Sequence, residues 1–211
     1  PAVLAQLHRG WQGKVQAFIE YGPFEFNTWQ PTGGKGLKEI LGPVGEDTTN
    51  FSIYLVVRRA VQLWSRSIET GISAHTARAA AAQLESPIFR QAASELYEFQ
   101  DAALKYLRDA GVLGGRAYRR IKKLNRDYVP FYRFFEEPSP AGPSGPGTTY
   151  ANLFNPIHGI KGSTREIIDP LESVIKNLYA FVNLAERNSV AEAMVRLSER
   201  HQGMGRILEQ L

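Results

Sequence analysis

Between Ile53 and Ile68 the chain has little choice but to form a helix. Ile53, Val56, Val57, Ala60, Val61, Trp64 and Ile68 recur at steps of three and four, the spacing of one helical face. Leu55 and Leu63 widen the stripe, so the spacing predicts a central helix covered around much of its circumference. Each large side chain fully buried there contributes about 1.5–3 kcal/mol. Gly71 stands where a left-handed residue would follow the helix end.

The same period recurs on both sides. Val3, Leu7, Trp11, Val15 and Phe18 predict a first helix over 2–21, weakened by Gly10 and Gly13. From Gly22 to Asp47 prolines and glycines leave room only for a helical turn near Leu37–Leu41. An alanine-rich helix spans His75–Leu84. Ser86-Pro87 then supplies a cap followed by proline at the first helical position. The helix it opens turns Phe89, Ala92, Ala93, Leu96, Phe99, Ala103 and Leu107 inward and stops at Gly111. A basic helix over about 116–125 follows. Asp169-Pro170 is another cap-and-proline start, with Leu171, Val174, Ile175, Leu178, Val182 and Ala185 inward. Ser189 and Glu192 fit a capping box that opens a last helix reaching about His201.

Strand signals are nearly absent. The expected fold is therefore all-α, an irregular bundle of about six to eight helices joined by long Gly/Pro-rich loops. A single assembly over 1–211 is expected. Within it, 1–50 is an irregular N-terminal part, 51–135 the main helical core, 136–162 a flexible loop and 163–211 a C-terminal helical pair packed on the core. Pro138–Gly147, with four prolines and three glycines, buries too little apolar surface to offset its ordering entropy. Tyr128-Val-Pro-Phe-Tyr-Arg133 reads as extended or turn-like, because a proline disfavours helix in the residue before it.

Composition closes off several chemistries. With no cysteine there are no disulfides, thiolate metal sites or cysteine nucleophiles. No apolar run approaches the roughly 18 residues that span a bilayer. The sequence starts at Pro1, and a piece of something longer is the expectation. His8, His75, His158 and His201 fit no zinc spacing, so surface or capping roles are expected and no metal or cofactor is called for. Phosphate-loop, nucleophile-elbow and paired-histidine motifs are absent. Thr32-Gly-Gly-Lys-Gly36 reads as an ordinary loop rather than an anion nest. Lys161, Ser163, Thr164 and Arg165 precede a helix start, where free backbone donors favour anions. They are candidates for phosphate binding, although helix-start chemistry accounts for the same residues. Glu136-Glu137 stand beside the flexible loop, away from any low-dielectric pocket that acid catalysis would need. No catalytic residue is assigned.

One stretch stands out in charge. Arg116, Arg119, Arg120, Lys122, Lys123, Arg126 and Arg133 oppose a single acid, Asp127. That window carries +6, whereas the whole chain carries +4. Tyr118, Tyr128, Phe131, Tyr132, Phe134 and Phe135 lie nearby. Basic side chains neutralise phosphates and aromatics stack on unpaired bases. The seven cations are therefore nucleic-acid-binding candidates. The opposing reading pairs them with acids elsewhere and sinks the aromatics into the core; an acidic protein or a membrane surface would also fit the charge.

Three stretches together carry a resemblance: Tyr54-Leu-Val-Val-Arg-Arg-Ala60 with Ile68-Glu-Thr-Gly71, then Tyr128-Val-Pro-Phe-Tyr-Arg133, then Gly162-Ser-Thr-Arg165 with Ile168-Asp-Pro-Leu-Glu172 and Ala185-Glu-Arg-Asn188. In that order they resemble the large polyvalent protein-associated helical domains, segments of very long phage and conjugative-element proteins thought to travel with DNA into the recipient cell. The resemblance implies a non-catalytic structural or interaction segment, located in the virion interior or the host cytoplasm. Its implied partners are other segments of the parent protein, further copies of itself or nucleic acid. It assigns no catalytic residues.

Overall fold

The computed structural model of the chain describes residues 9–125 and 169–200. Among these residues seven α-helices form and no sheet does: α1 Trp11–Tyr21, α2 Leu37–Leu41, α3 Thr48–Trp64, α4 Ala74–Leu84, α5 Pro87–Asp109, α6 Gly115–Leu124 and α7 Pro170–Arg200. A 3-10 turn over Gly42–Val44 follows α2 directly. The architecture is an all-α bundle with irregular connections.

The spine is the pair α5 and α7. The α1 helix lies against α7, α2 bridges α1 and α5, and α3 touches both spine helices while carrying α4 on its outer side. The α5 helix follows its sequence closely. Ser86 Oγ accepts the Phe89 N–H at 3.1 Å, Pro87 fills the first helical position, and all seven predicted inward residues are buried. Gly111 ends the run with φ of +79°, a conformation that costs a residue without Cβ little. Replacing Ser86 by alanine should lower stability by about 1 kcal/mol, the usual worth of such a cap. Thermal unfolding of that variant checks the value.

Other elements depart from expectation. The α3 helix is indeed central, with Phe51, Tyr54, Leu55, Val57, Ala60 and Leu63 buried around its circumference. The expected stripe, however, is not the buried face. Ile53 is 44% exposed, and Val56, Val61 and Trp64 are only half-buried. The helix ends at Trp64, short of Ile68, where Ser67 turns to φ of +56°. Gly71 is left-handed as expected, but within the connection to α4 rather than at the end of α3. There Trp64 Nε1 donates to the Ile72 carbonyl at 2.7 Å.

The described part of the irregular N-terminal stretch, from residue 9 on, contributes to the core. Val15, Phe18, Leu37, Ile40 and Val44 share one core with α3, α5 and α7. The described part of the first helix begins at Trp11, after Gly10. Between α1 and α2 the chain doubles back through an antiparallel bridge of Phe24 with Pro31. This puts Phe24, Phe26 and Trp29 against the core.

The C-terminal pair of helices is also corrected. From Pro170 to Arg200 the chain is one continuous helix. Asp169 caps its start, accepting the Leu171 and Glu172 N–H groups at 2.7 and 3.2 Å. Ser189 opens no second helix: its hydroxyl donates back to the Glu186 carbonyl at 2.8 Å, and Glu192 accepts from Asn188 within the same helix. The two capping-box residues thus act within one helix, Ser189 bonding back to the backbone and Glu192 pairing with the Asn188 side chain. The segments 126–135 and 136–162 lie outside the described residues. No helix among the described residues is long and apolar enough to cross a membrane.

Candidate nucleic-acid interface

The basic helix exists, spans Gly115–Leu124, and has one face bound to the protein. Tyr118 and Ile121 pack on the core. At the far end, carbonyls that no turn of helix can satisfy receive side chains instead. Asn125 Nδ2 donates to the Ile121 carbonyl at 2.9 Å, and Arg66 Nη1 donates to the Leu124 carbonyl at 2.8 Å. Asn125 is held in turn by the fully buried Arg59, whose Nη2 donates to its Oδ1 at 2.7 Å. Arg59 also donates to Gln62. A guanidinium inside α3 thus helps fix where α6 ends.

On the other face stand the charges. Arg116, Arg119, Arg120, Lys122 and Lys123 are all exposed. Arg116, Arg119, Arg120 and Lys123 follow steps of three and four, so they occupy one arc of about 100° and run about 10 Å along the axis. None of these four has an acidic partner or a side-chain hydrogen bond among the described residues. Lys122 differs. It points back to α5 and pairs with Asp101 at 2.8 Å, and that hydrogen bond holds its ammonium pKa above the ordinary lysine value.

Tyr118 does not stand free to stack. The Arg108 guanidinium lies over its ring at 4.7 Å, and the Lys122 ammonium lies 5.9 Å from the ring centre. Both contacts are of the cation–π kind. The expectation of core-bound aromatics is therefore right for Tyr118, and among the described residues the expectation of acid-paired cations holds for Lys122 and not for the other four. Of the other nucleic-acid candidates, Arg126 and Arg133 lie outside the described residues. So do the anion-binding candidates Lys161, Ser163, Thr164 and Arg165, the Glu136-Glu137 pair, and the aromatics from Tyr128 to Phe135.

The Thr32–Gly36 stretch is loop, as expected. Lys35 is held by Glu95 at 2.7 Å, and this hydrogen bond raises its pKa while lowering that of Glu95. His75 is exposed on α4; the other three histidines lie outside the described residues. No cluster of metal-ligating side chains occurs among the described residues.

A second ionisable group of residues went unread in the sequence. Glu186, 5% exposed on α7, accepts the Tyr106 hydroxyl at 2.7 Å and the Lys14 ammonium at 2.8 Å. Burial pushes the Tyr106 phenol well above its ordinary pKa, and the Glu186 hydrogen bond and charge push the same way. Tyr106 therefore remains a proton donor in the hydrogen bond through the physiological range. Rings surround it: Phe18 and Phe26 meet it edge to face at 5.2 and 5.0 Å. Lys14 lies over the Trp29 ring at 4.9 Å. Lysine, glutamate and tyrosine here tie α1, α5 and α7 together. The sequence hint was the crowding of Phe24, Phe26 and Trp29 in a stretch otherwise rich in glycine and proline.

No family model, curated protein or solved structure matches this chain.

Proposed function

We propose that this chain is a non-catalytic helical interaction segment that holds its parent protein against nucleic acid through α6. The setting we propose is that of the long phage and mobile-element proteins its sequence resembles, which travel with DNA. The supporting observation is the row of four exposed cations, Arg116, Arg119, Arg120 and Lys123, without acidic partners among the described residues. Like charges held on one face repel one another, which disfavours the unbound surface and leaves the row complementary to a polyanion. The opposite face is committed to the core, so the helix has one side to offer.

Because these four side chains make no ion pair or side-chain hydrogen bond among the described residues, changing all four to glutamate should leave helicity intact by circular dichroism. Binding to a fluorescein-labelled oligonucleotide, followed by anisotropy at low salt, should weaken more than tenfold. A variant that bound as tightly as the parent chain would remove the reading. An equal loss of stability and binding would instead be separated by testing Arg120→Gln with Lys123→Gln, for which folding is retained and partial weakening is expected.

A further inference from the structure

Resting on that reading, we infer that Asp101 sets the edge of the nucleic-acid interface: it withholds Lys122 from the phosphates and confines the polyanion to the outer face of α6. Lys122 follows Arg119 by three residues, so it stands about 60° round the helix axis, between the cation row and the core-facing Tyr118. From there a lysine stem can swing either way. It swings to α5, where its ammonium meets an Asp101 carboxylate oxygen at 2.8 Å. The pair is within reach of a ligand, with 43% of the lysine side chain and 42% of the aspartate side chain exposed. Lys122 is thus a cation placed to join the row whose charge is already matched.

The rest of that flank is matched in the same way. Further along α5, Lys105 and Arg108 both pair with Asp109, and the Arg108 guanidinium also lies over the Tyr118 ring at 4.7 Å. On this side of α6, three cations therefore meet two acids, a net of +1, whereas the row of Arg116, Arg119, Arg120 and Lys123 carries +4. A phosphate that took Lys122 would leave the Asp101 carboxylate bare beside it. One ion pair would replace another, with a like charge left against the ligand. The acids of α5, more than the cations, decide where the contact stops.

The test measures salt dependence, since each phosphate contacted in duplex DNA adds about 0.9 to the log–log slope. The whole chain and its variants are titrated onto a fluorescein-labelled DNA duplex by anisotropy, with circular dichroism as the check on folding. Lys123→Gln should make the slope shallower by about 0.9, whereas Lys122→Gln should leave it nearly unchanged. Asp101→Asn should steepen it by about 0.9 and tighten binding about fivefold at low salt. Asp101→Ser, with the same charge change, should repeat the result. Both effects should vanish in the Lys122→Gln background. If Lys122→Gln flattens the slope as much as Lys123→Gln, this inference fails while the proposed nucleic-acid role stands. It fails equally if removing the Asp101 charge changes nothing, or acts as strongly with Lys122 already gone. If the parent chain does not bind the duplex at low salt, the proposed role itself fails.

Discussion

Replacing Glu186 by leucine should cost the fold about 3 kcal/mol, because it removes one partner from a buried polar group and leaves the rest in place. Tyr106 is 2% exposed, so its hydroxyl would lose its acceptor where water does not reach. Lys14, with 27% of its side chain exposed, can turn toward solvent and lose less. Tyr106→Phe removes the donor instead and should cost about 2 kcal/mol, the worth of a hydrogen bond to a charged group. The two changes should not add. With both made, no stranded hydroxyl remains, and the pair should cost clearly less than the sum of the singles. Urea unfolding of the four proteins measures the cycle. Strict additivity, or a single-variant cost below about 1 kcal/mol, would mean that this contact is not what joins α1, α5 and α7.

The same contact sets a pH dependence. Tyr106 has a folded pKa far above its unfolded value. Below the unfolded tyrosine pKa, about 10, both states keep the proton and stability from this group is fully present. Above it the unfolded chain loses the proton while the native chain keeps it, so the native state binds more protons and stability falls as pH rises. The fall approaches about 1.4 kcal/mol per pH unit for one group. Stability measured from pH 9 upward should therefore drop more steeply for the parent chain than for Tyr106→Phe. Parallel curves would refute the assignment.

The second large effect concerns two glycines where backbone meets backbone. A Cβ at Gly36 would stand 2.6 Å from the Glu20 carbonyl oxygen and 2.9 Å from that of Ile19. A Cβ at Gly22 would stand 2.1 Å from the Gly34 oxygen, and Gly22 also sits at φ of +101°. Neither obstacle is a side chain that can swing away. The end of α1 and the start of α2 would have to separate, opening the core around Phe18 and Leu37. Gly22→Ala and Gly36→Ala should each cost about 3 kcal/mol, from overpacking and, at Gly22, strain in addition. Gly42 provides the contrast. Nothing lies within 4 Å of its would-be Cβ, and its φ is −51°, so Gly42→Ala should be neutral or stabilising by up to about 1 kcal/mol. Chemical denaturation of the three variants decides; equal effects at Gly36 and Gly42 would show that the close approach is not real.

What could be read from the sequence follows from how local each determinant is. The α5 helix was legible throughout because its cap, its apolar period and its stop at Gly111 all lie within one segment. The face of α3 was not. A helix touched on several sides gives no clean period, and its buried set includes Ser52 and Arg59, which a hydrophobic stripe assigns to solvent. The α7 helix was split in two because Ser189 and Glu192 have the spacing of a helix start, and only the chain's continuation tells a start from a middle. The candidate interface was half legible. The charge run identified α6, but which cations face outward depended on Lys122 finding Asp101 on α5. The role of Tyr118 depended on Arg108. Lys14, Tyr106 and Glu186 are too far apart in sequence for any motif to join them.

The tether through Arg59 carries one more consequence. Since α6 is clamped at its far end by Arg59 of α3, through Asn125, and by Arg66 just past the end of α3, its cations arrive pre-arranged on a stiff mount. A flexible basic tail surrenders backbone freedom each time it docks; this helix has already done so during folding. Whatever binds that row should bind it at little ordering cost, and loosening the mount, without touching a single charge, should weaken the complex.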